Sequence, residues 1–359
     1  MIADRGNTLA PRVSICIPTY NGRQHLKDCL ASVRAQSFQD FEVLICDDQS
    51  SDGTLDFARE LAQGDERFRF ISNACRFGLV GNWNNCIAVS RGDWIKFVFQ
   101  DDIITPTCVE KLLKACELTG KPFSSCARDF IFEDGTNESL REFFLAHRAA
   151  LDSRYLDKPA IEAADVGRVT LQNPYNNPIG EPTVTLIRRS VFQEIGLFDD
   201  KLIQLCDSEF WFRIISNMGA AWVPERLATF RIHAKAATAA NIHSRAFMTS
   251  YLDPLIVRYR FAFDPHFSNL RLKRMTGQSE FTLRNECAVA AFRARRQVWW
   301  AAVSADKRKQ SMVTEWKAAA ACCPGLTSLA RIGLAITGYR YVKKAAGRLI
   351  TTRRSNRSN

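Results

Sequence analysis

The amino-acid sequence predicts an α/β fold: a mostly parallel sheet flanked by helices over the first two thirds, then a helical, basic C-terminal extension. Three observations carry that prediction. Short apolar runs alternate with segments of helical periodicity. Three of the runs end in polar loops, two of which carry paired carboxylates, and basic residues concentrate in the last third of the 359-residue chain. Such alternation builds a sheet covered on both faces, and open parallel sheets bind ligands outside the carboxyl ends of their strands.

Residues 13–18 (V-S-I-C-I-P) are the first predicted strand and end in Thr19-Tyr20-Asn21-Gly22. Leu26, Leu30 and Val33 recur at helical spacing over 25–36. Residues 41–46 (F-E-V-L-I-C) are the second strand, ending in Asp47-Asp48-Gln49-Ser50-Ser51-Asp52-Gly53. Leu55, Ala58 and Leu61 mark a helix over 54–63 that Asp52 and Thr54 can cap. A strand over 68–72 and a helix over 82–90 precede the strand 94–99 (W-I-K-F-V-F), just past which lie Asp101 and Asp102. Residues 123–182 vary in composition and read as an insertion, with Asn176-Asn177-Pro178 as a loop. A further helix is predicted over 207–217, with Phe210, Ile214 and Asn217 on one face and Phe212 and Ile215 nearer the other.

Adjacent carboxylates at a strand's carboxyl edge suit a hard cation, and a divalent ion held there could neutralise a diphosphate. Loop carboxylates also serve as solubilising groups and helix caps. Nothing about solubility, however, requires both Asp47-Asp48 and Asp101-Asp102 at strand ends of one sheet.

The runs V-S-I-C-I-P-T-Y-N, F-E-V-L-I-C-D-D-Q-S-S-D-G-T, F-G-L-V-G-N-W-N-N and R-G-D-W-I-K-F-V-F-Q-D-D resemble, in order, the motifs of bacterial family 2 nucleotide-sugar glycosyltransferases of GT-A type. E-P-T-V-T-L-I-R-R-S-V-F-Q-E-I-G-L-F-D, D-S-E-F-W-F-R-I and F-R-I-H resemble the acceptor half of the same domain. The resemblance covers about residues 11–240. It implies a catalytic domain over 1–240, with a nucleotide-sugar half over about 11–120 and an acceptor half over about 121–240, and leaves 241–359 as the extension.

That resemblance implies an inverting, metal-dependent transfer of a sugar from a nucleoside-diphosphate donor of UDP type to an acceptor hydroxyl, in cell-surface polysaccharide or lipid-linked glycan synthesis. Pro18, Thr19, Tyr20 and Asn21 would lie beside the nucleotide. Asp48 would accept a ring N–H of the base, a bond a carboxylate accepts well, and Asn84 would support that pocket. Asp101 would approach the ribose, and Asp102 would coordinate Mg²⁺ or Mn²⁺ bridging the phosphates, with His233 reaching metal or diphosphate from the far side and Arg231 in support. The ion would stabilise the departing diphosphate as a Lewis acid.

Inverting transfer also needs a carboxylate that removes a proton from the acceptor hydroxyl, and a base works only within hydrogen-bond reach. Asp207, at the start of D-S-E-F-W-F-R, is the candidate, with Glu209 as support. The alternative is that both are favourable charges at a helix N-terminus. Three positions depart from the family pattern: Cys206 where many members carry Glu, Ile103 where many carry a third acid, and Gln49 in place of a common Gly. Gln49 is compatible with that loop if its backbone keeps φ below zero.

Net charge is +11, but residues 241–359 hold 22 Lys and Arg against six Asp and Glu. Ile332, Ile336, Tyr339, Val342, Ala346 and Ile350 recur at helical spacing, interrupted by Lys343, with Arg331, Lys344 and Arg348 elsewhere on the wheel. Such a tail suits an anionic membrane surface. A plain solvated extension is the close rival, and nucleic acid, through Arg293, Arg295 and Arg296 beside Trp299 and Trp300, the weaker one. The polar residues 1–11, and the apolar stretch 318–330 broken by Pro324-Gly325, give neither a secretory nor a spanning segment. The expectation is a cytoplasmic enzyme, peripheral at the inner face of the plasma membrane if the tail docks. Twelve cysteines contain no C-x-x-C pair, and Cys16 and Cys46 fall inside buried strands as small apolar residues. Thr19-Tyr20-Asn21-Gly22 is not the glycine-rich turn an NAD-dependent dehydrogenase needs. A nucleotidyltransferase would share the metal and diphosphate site but not need Asp207, and a catalytically idle nucleotide- or glycan-binding protein of the same fold could lose the metal; intact Asp48, Asp102, Asp207 and His233 argue against the latter.

Overall fold

Val13–Thr19 (β1) and Phe41–Asp47 (β2) are buried at every residue, as near-continuous apolar runs are when helices cover both faces of a parallel sheet. They pair in parallel from Val13 opposite Phe41 to Thr19 opposite Asp47, so both strands deliver their loops to one edge. Phe68–Ser72 (β3) pairs in parallel with β2, and Trp94–Phe97 (β4) with β1. Leu26–Arg34 (α1), Thr54–Leu61 (α2) and Gly78–Val89 (α3) connect them. The chain continues through Ile103–Ile104 (β5), Cys108–Thr119 (α4), Phe123–Phe132 (β6), Glu138–Tyr155 (α5), Ala160–Ile161 (β7) and Ala163–Thr170 (α6). Thr185–Arg188 (β8), Ser190–Ile195 (α7), Cys206–Met218 (α8) and Ala220–Ile232 (β9) follow. In this computed structural model, residues 10–170, 176–233, 245–272, 280–303 and 310–339 are described.

The sheet runs β3-β2-β1-β4-β8-β6-β9-β5, with β7 also on β9. The long ladders are parallel, while β8 sits antiparallel between β4 and β6. The sequence-based boundaries shift in three places. α3 starts at Gly78 rather than 82, because the Asp48 carboxylate receives the Phe77 and Gly78 N–H groups and anchors an earlier first turn. β4 leaves its ladder after Phe97, although the Val98 N–H still reaches Cys16 O. Residues 123–182 are not simply an insertion, since they open with β6, ten residues in the middle of the sheet.

The chain forms two compact units: residues 1–166, 176–201 and 206–240 make the first, and 167–175, 202–205 and 241–359 the second. The second is helical, with Asp253–Phe263, Glu280–Ala302, Gln310–Cys322 and Leu326–Tyr339. Within it the buried Asp253 carboxylate receives the N–H groups of Ile203, Gln204 and Leu205. Among the described residues no single helix is long and apolar enough to cross a membrane; the last two helices pass such a test only as a pair bent by 105°. Ile332 and Tyr339 of the predicted amphipathic stretch are exposed, and its continuation from 340 lies outside the described residues. All twelve cysteines are free, with Cys16 and Cys46 buried.

Candidate active site

Carboxylates organise the loops after β1 and β2. Asp47 receives the Thr19 hydroxyl at 2.9 Å and both the N–H and hydroxyl of Ser50, at 2.9 and 2.6 Å. Pro18, next to last in β1, lies opposite Cys46. Asn21 sits at φ 46°, donating its N–H to Ser50 Oγ and receiving the Ser51 N–H on its side chain. The Tyr20 ring is exposed, with the Arg76 guanidinium 4.0 Å from its centroid. Gln49 departs from the expectation: its φ is 65°, the left-handed region, and its side-chain amide bonds to the Asn73 carbonyl, which fixes the turn.

Asp48 is buried and receives Asn73 Nδ2 at 2.9 Å, Phe77 N–H at 2.7 Å and Gly78 N–H at 2.8 Å. A carboxylate offers about four lone-pair sites, so one remains for a ligand N–H. Around it Asn73, Asn82 and Asn85 bond one another in series, and Asn82 also donates to the Cys46 carbonyl at 2.8 Å. Asn84, the residue expected beside the nucleotide, is committed elsewhere. Its amide exchanges bonds with Phe198 O and Phe198 N–H, and so ties down the 198 turn. Spacing in N-W-N-N does not distinguish among the four positions; helical geometry does.

Asp101 and Asp102 differ sharply. Asp102 is wholly buried, receives the Thr183 hydroxyl on one oxygen and the Arg231 N–H at 3.1 Å on the other. Burial, then the neighbouring Asp101 charge, pushes its pKa well above the carboxylate range. The expectation that Asp102 faces the cation meets a wholly buried carboxylate that already accepts one protein donor on each oxygen. Asp101 is partly exposed, and its carboxylate meets His233 Nε2 at 3.0 Å. Arg231 supports the turn by donating Nε to the Asp101 carbonyl at 3.0 Å. Behind Thr183, the buried Lys96 ammonium donates to the carbonyls of Phe97 and Thr183. Nearby, burial lowers the His25 pKa against the opposing pull of Glu133.

Asp207 opens α8. Burial pushes its pKa up to about 7, the Glu181 charge adds to the rise, and bonds from the Ser208 N–H and the Asn177 side chain oppose it. Asn177 Nδ2 donates to Asp207 Oδ2 at 3.0 Å. The Asn177 carbonyl in turn receives His147 Nε2 at 2.8 Å, and His147 Nδ1 meets the Arg128 guanidinium at 3.0 Å. Arg donates and a carbonyl accepts, so His147 is the Nε2–H tautomer. Arg128 pairs with Glu181 at 2.8 Å, which closes the network. Gly180, at φ 126°, is required here: a Cβ would sit 2.1 Å from Arg128 Nη1. Its carbonyl receives Trp211 Nε1 at 2.8 Å.

Glu209 is not beside Asp207 as a second acid. It is wholly buried and paired with Arg213 at 2.8 Å, because i and i+4 side chains share a helix face. Sequence reasoning did not assign Glu181, Thr183, Arg128, His147 or Asn177 to the site. The E-P-T segment offered a signal, since Thr183 touches Asp102 and Glu181 raises both Asp102 and Asp207.

A mostly parallel sheet with carboxylates at its strand ends and a further acid in the first turn of a helix fits a GT-A type fold. The glycosyl transferase family 2 model matches residues 14–196, more than half of the chain, and the chain belongs to that family. An uncharacterized glycosyltransferase of Haemophilus influenzae is 25% identical over 242 residues, 66% of this chain and 70% of the relative. The GalNAc(5)-diNAcBac-PP-undecaprenol β-1,3-glucosyltransferase of Campylobacter jejuni is 30% identical over 118 residues, 32% of this chain and 38% of the relative. Among solved structures, Staphylococcus aureus TarS 1-349 in complex with UDP-GlcNAc superposes with a TM-score of 0.57 at 16% identity, covering 94% of this chain and 92% of that one. The mannosyltransferase PcManGT of Pyrobaculum calidifontis, in complex with GDP-Man and Mn²⁺, gives 0.52 at 17% identity, covering 91% and 85%. At these identities the likeness is one of fold.

Proposed function

We propose that this glycosyltransferase inverts configuration, moving a sugar from a UDP-type donor to an acceptor hydroxyl with Asp207 as the base. The observation that carries the reading is the placement of Asp207 in the first turn of α8, its carboxylate held by the Asn177 amide at 3.0 Å; the rise of its pKa to about 7 supports it. A base works best when its pKa lies near the operating pH, and a carboxylate that merely caps a helix gains nothing from that rise. Asn177 holds one carboxylate oxygen by a single hydrogen bond, which leaves acceptor capacity for a substrate hydroxyl. Tyr20 and Asn21 would frame the nucleotide, and Asp48 would use its remaining acceptor site on the base ring.

A divalent cation fits the exposed edge. Asp101 and His233 supply an accessible carboxylate and imidazole in contact, with Asp102 and Arg231 holding the turn from behind. An imidazole ligand favours Mn²⁺ over Mg²⁺, and Mn²⁺ accompanies the donor in PcManGT. When bound, the ion would supply Lewis-acid stabilisation to the leaving diphosphate. The Campylobacter relative's undecaprenol-linked acceptor supports a lipid-linked glycan for this chain too, at an anionic membrane face. Exposed Trp299, Trp300, Ile332, Leu334 and Tyr339 favour that placement.

The test is a panel of nucleotide sugars, incubated with Mn²⁺ and glycan acceptors, read as diphosphate release and as the anomeric configuration of the product. An inverted product formed from a UDP-sugar and abolished by EDTA is the expected outcome. A retained configuration rejects Asp207 as the base, and release of sugar 1-phosphate in place of the nucleoside diphosphate indicates nucleotidyl transfer.

A further inference from the structure

Three side chains from three elements meet beside the proposed cation pair. β6 and β9 run in parallel with Phe132 opposite Ile232, and the Glu133 N–H donates to the Ile232 carbonyl at 3.1 Å. Glu133 and His233 therefore leave adjacent strand ends side by side. His25 enters from the turn ahead of α1, its Nε2 3.2 Å from Glu133 Oε1 and its ring centroid 5.1 Å from that of His233. One ligand atom of each residue lies within 4.8 Å of the other two. All three side chains are only partly exposed, from 12 to 28%.

Two imidazoles and one carboxylate are a donor set of zinc sites that keep a fourth position for water. Bonds of about 2.0–2.2 Å to a tetrahedral ion bring ligand atoms to roughly 3.3–3.5 Å of one another, which small side-chain rotations reach from the observed spacing. The set also discriminates: imidazole suits Zn²⁺, whereas Mg²⁺ prefers oxygen ligands. Arg231 approaches Glu133 at 3.8 Å but also pairs with Asp28 at 3.4 Å, so the carboxylate is only partly neutralised.

We propose that His25, Glu133 and His233 form a Zn²⁺ site of their own, which shares His233 with the cation used in transfer. Zinc bound there withdraws His233 from Asp101 and so antagonises Mn²⁺. That consequence rests on the role of Asp101 and His233 proposed above; the binding does not.

The experiment is a zinc titration of the full chain against a chromophoric chelator without nucleotide, on the wild type, His25→Gln and Glu133→Gln, with Mn²⁺ binding followed in parallel by electron paramagnetic resonance. The wild type is expected to take one equivalent of Zn²⁺ and each variant to bind it at least about tenfold more weakly, with circular dichroism unchanged and Mn²⁺ binding by His25→Gln retained. Zinc affinity within about twofold of wild type in both variants overturns the site, and would assign any bound zinc to thiols such as the exposed Cys75 and Cys322. Zinc binding that depends on His25 and Glu133 in a chain that takes no Mn²⁺ supports this site and overturns only the Asp101–His233 pair.

Discussion

The loop after β2 and the first turn of α8 each carry an aspartate at the working edge of the fold, and the protein surrounds the two in opposite ways. Asp48 is ringed by donors, two main-chain N–H groups and the Asn73 amide. A residue fixed by three of them can hold a loop and, with its remaining acceptor capacity, a ligand. Asp207 accepts from Asn177 and Ser208, while burial and the Glu181 charge push its pKa to about 7. The same side chain becomes a fixed acceptor in one setting and a proton acceptor in the other.

Removing the proton acceptor is the strongest way to test that contrast. Asp207→Asn keeps shape and polarity, so donor affinity by calorimetry should stay unchanged while transfer falls by roughly 10² to 10⁴, the usual contribution of a positioned base. Transfer surviving within a few-fold would make Asp207 a helix-terminal charge. Stability supplies an independent reading. Asp207 has a folded pKa raised above its unfolded value of about 3.9, so its contribution is complete below about pH 4, is lost as pH rises through 7, and stays lost above. Wild type should therefore lose stability relative to Asp207→Asn between pH 4 and 8 in denaturant titrations, and a constant difference would contradict the raised pKa.

The next effect separates Asp101 from Asp102. Asp101→Asn, or EDTA, should lower turnover by about a hundredfold through lost diphosphate stabilisation. Asp102→Asn should cost far less, since Asn can still accept the Arg231 N–H and turn its NH₂ to the Thr183 hydroxyl. A larger loss from Asp102→Asn, measured with Mn²⁺ affinity on the same preparations, would return the cation to Asp102.

How much of this was legible in the sequence follows the range of the interactions. β1, β2, β3 and α2 could be read because apolar periodicity and local caps decide them, and paired acids at strand ends announced a ligand edge. The φ of Gln49 depends on the Asn73 carbonyl, and the start of α3 on Asp48, both 24 to 30 residues away. The setting of Asp207 was still less legible, since Arg128, His147, Asn177 and Glu181 converge from four chain positions. No spacing rule distinguishes Asn84, bonded to Phe198, from Asn82 and Asn85, which join the Asp48 cluster.

A smaller effect is expected at the donor-ringed carboxylate. Asp48→Asn should raise the donor KM about tenfold with kcat little changed, because a hydrogen bond to a charged group contributes about 1.5–3 kcal/mol. A drop in kcat with KM unchanged would mean that Asp48 takes part in chemistry and would break the contrast.

The smallest and most discriminating effect comes from two neighbours of Asp207 that act on its pKa in opposite directions. The Glu181 charge raises it, and the Asn177 hydrogen bond lowers it. If Asp207 is the base, kcat/KM rises with pH as its carboxyl ionises, with a midpoint near its pKa. Glu181→Gln removes a like charge, so the rising limb should move to lower pH. Asn177→Ala removes a donor that favours the anion, so the limb should move to higher pH. At a pH below the wild-type midpoint the first variant should therefore outperform wild type and the second should fall behind, although both lose a neighbour of the same carboxylate. Nonspecific damage lowers both rates without moving either limb, so profiles that shift the same way, or not at all, would detach the limb from Asp207. Since Glu181 also pairs with Arg128, Arg128→Met serves as the control: it leaves the Glu181 charge in place without its partner, and the limb should move to higher pH.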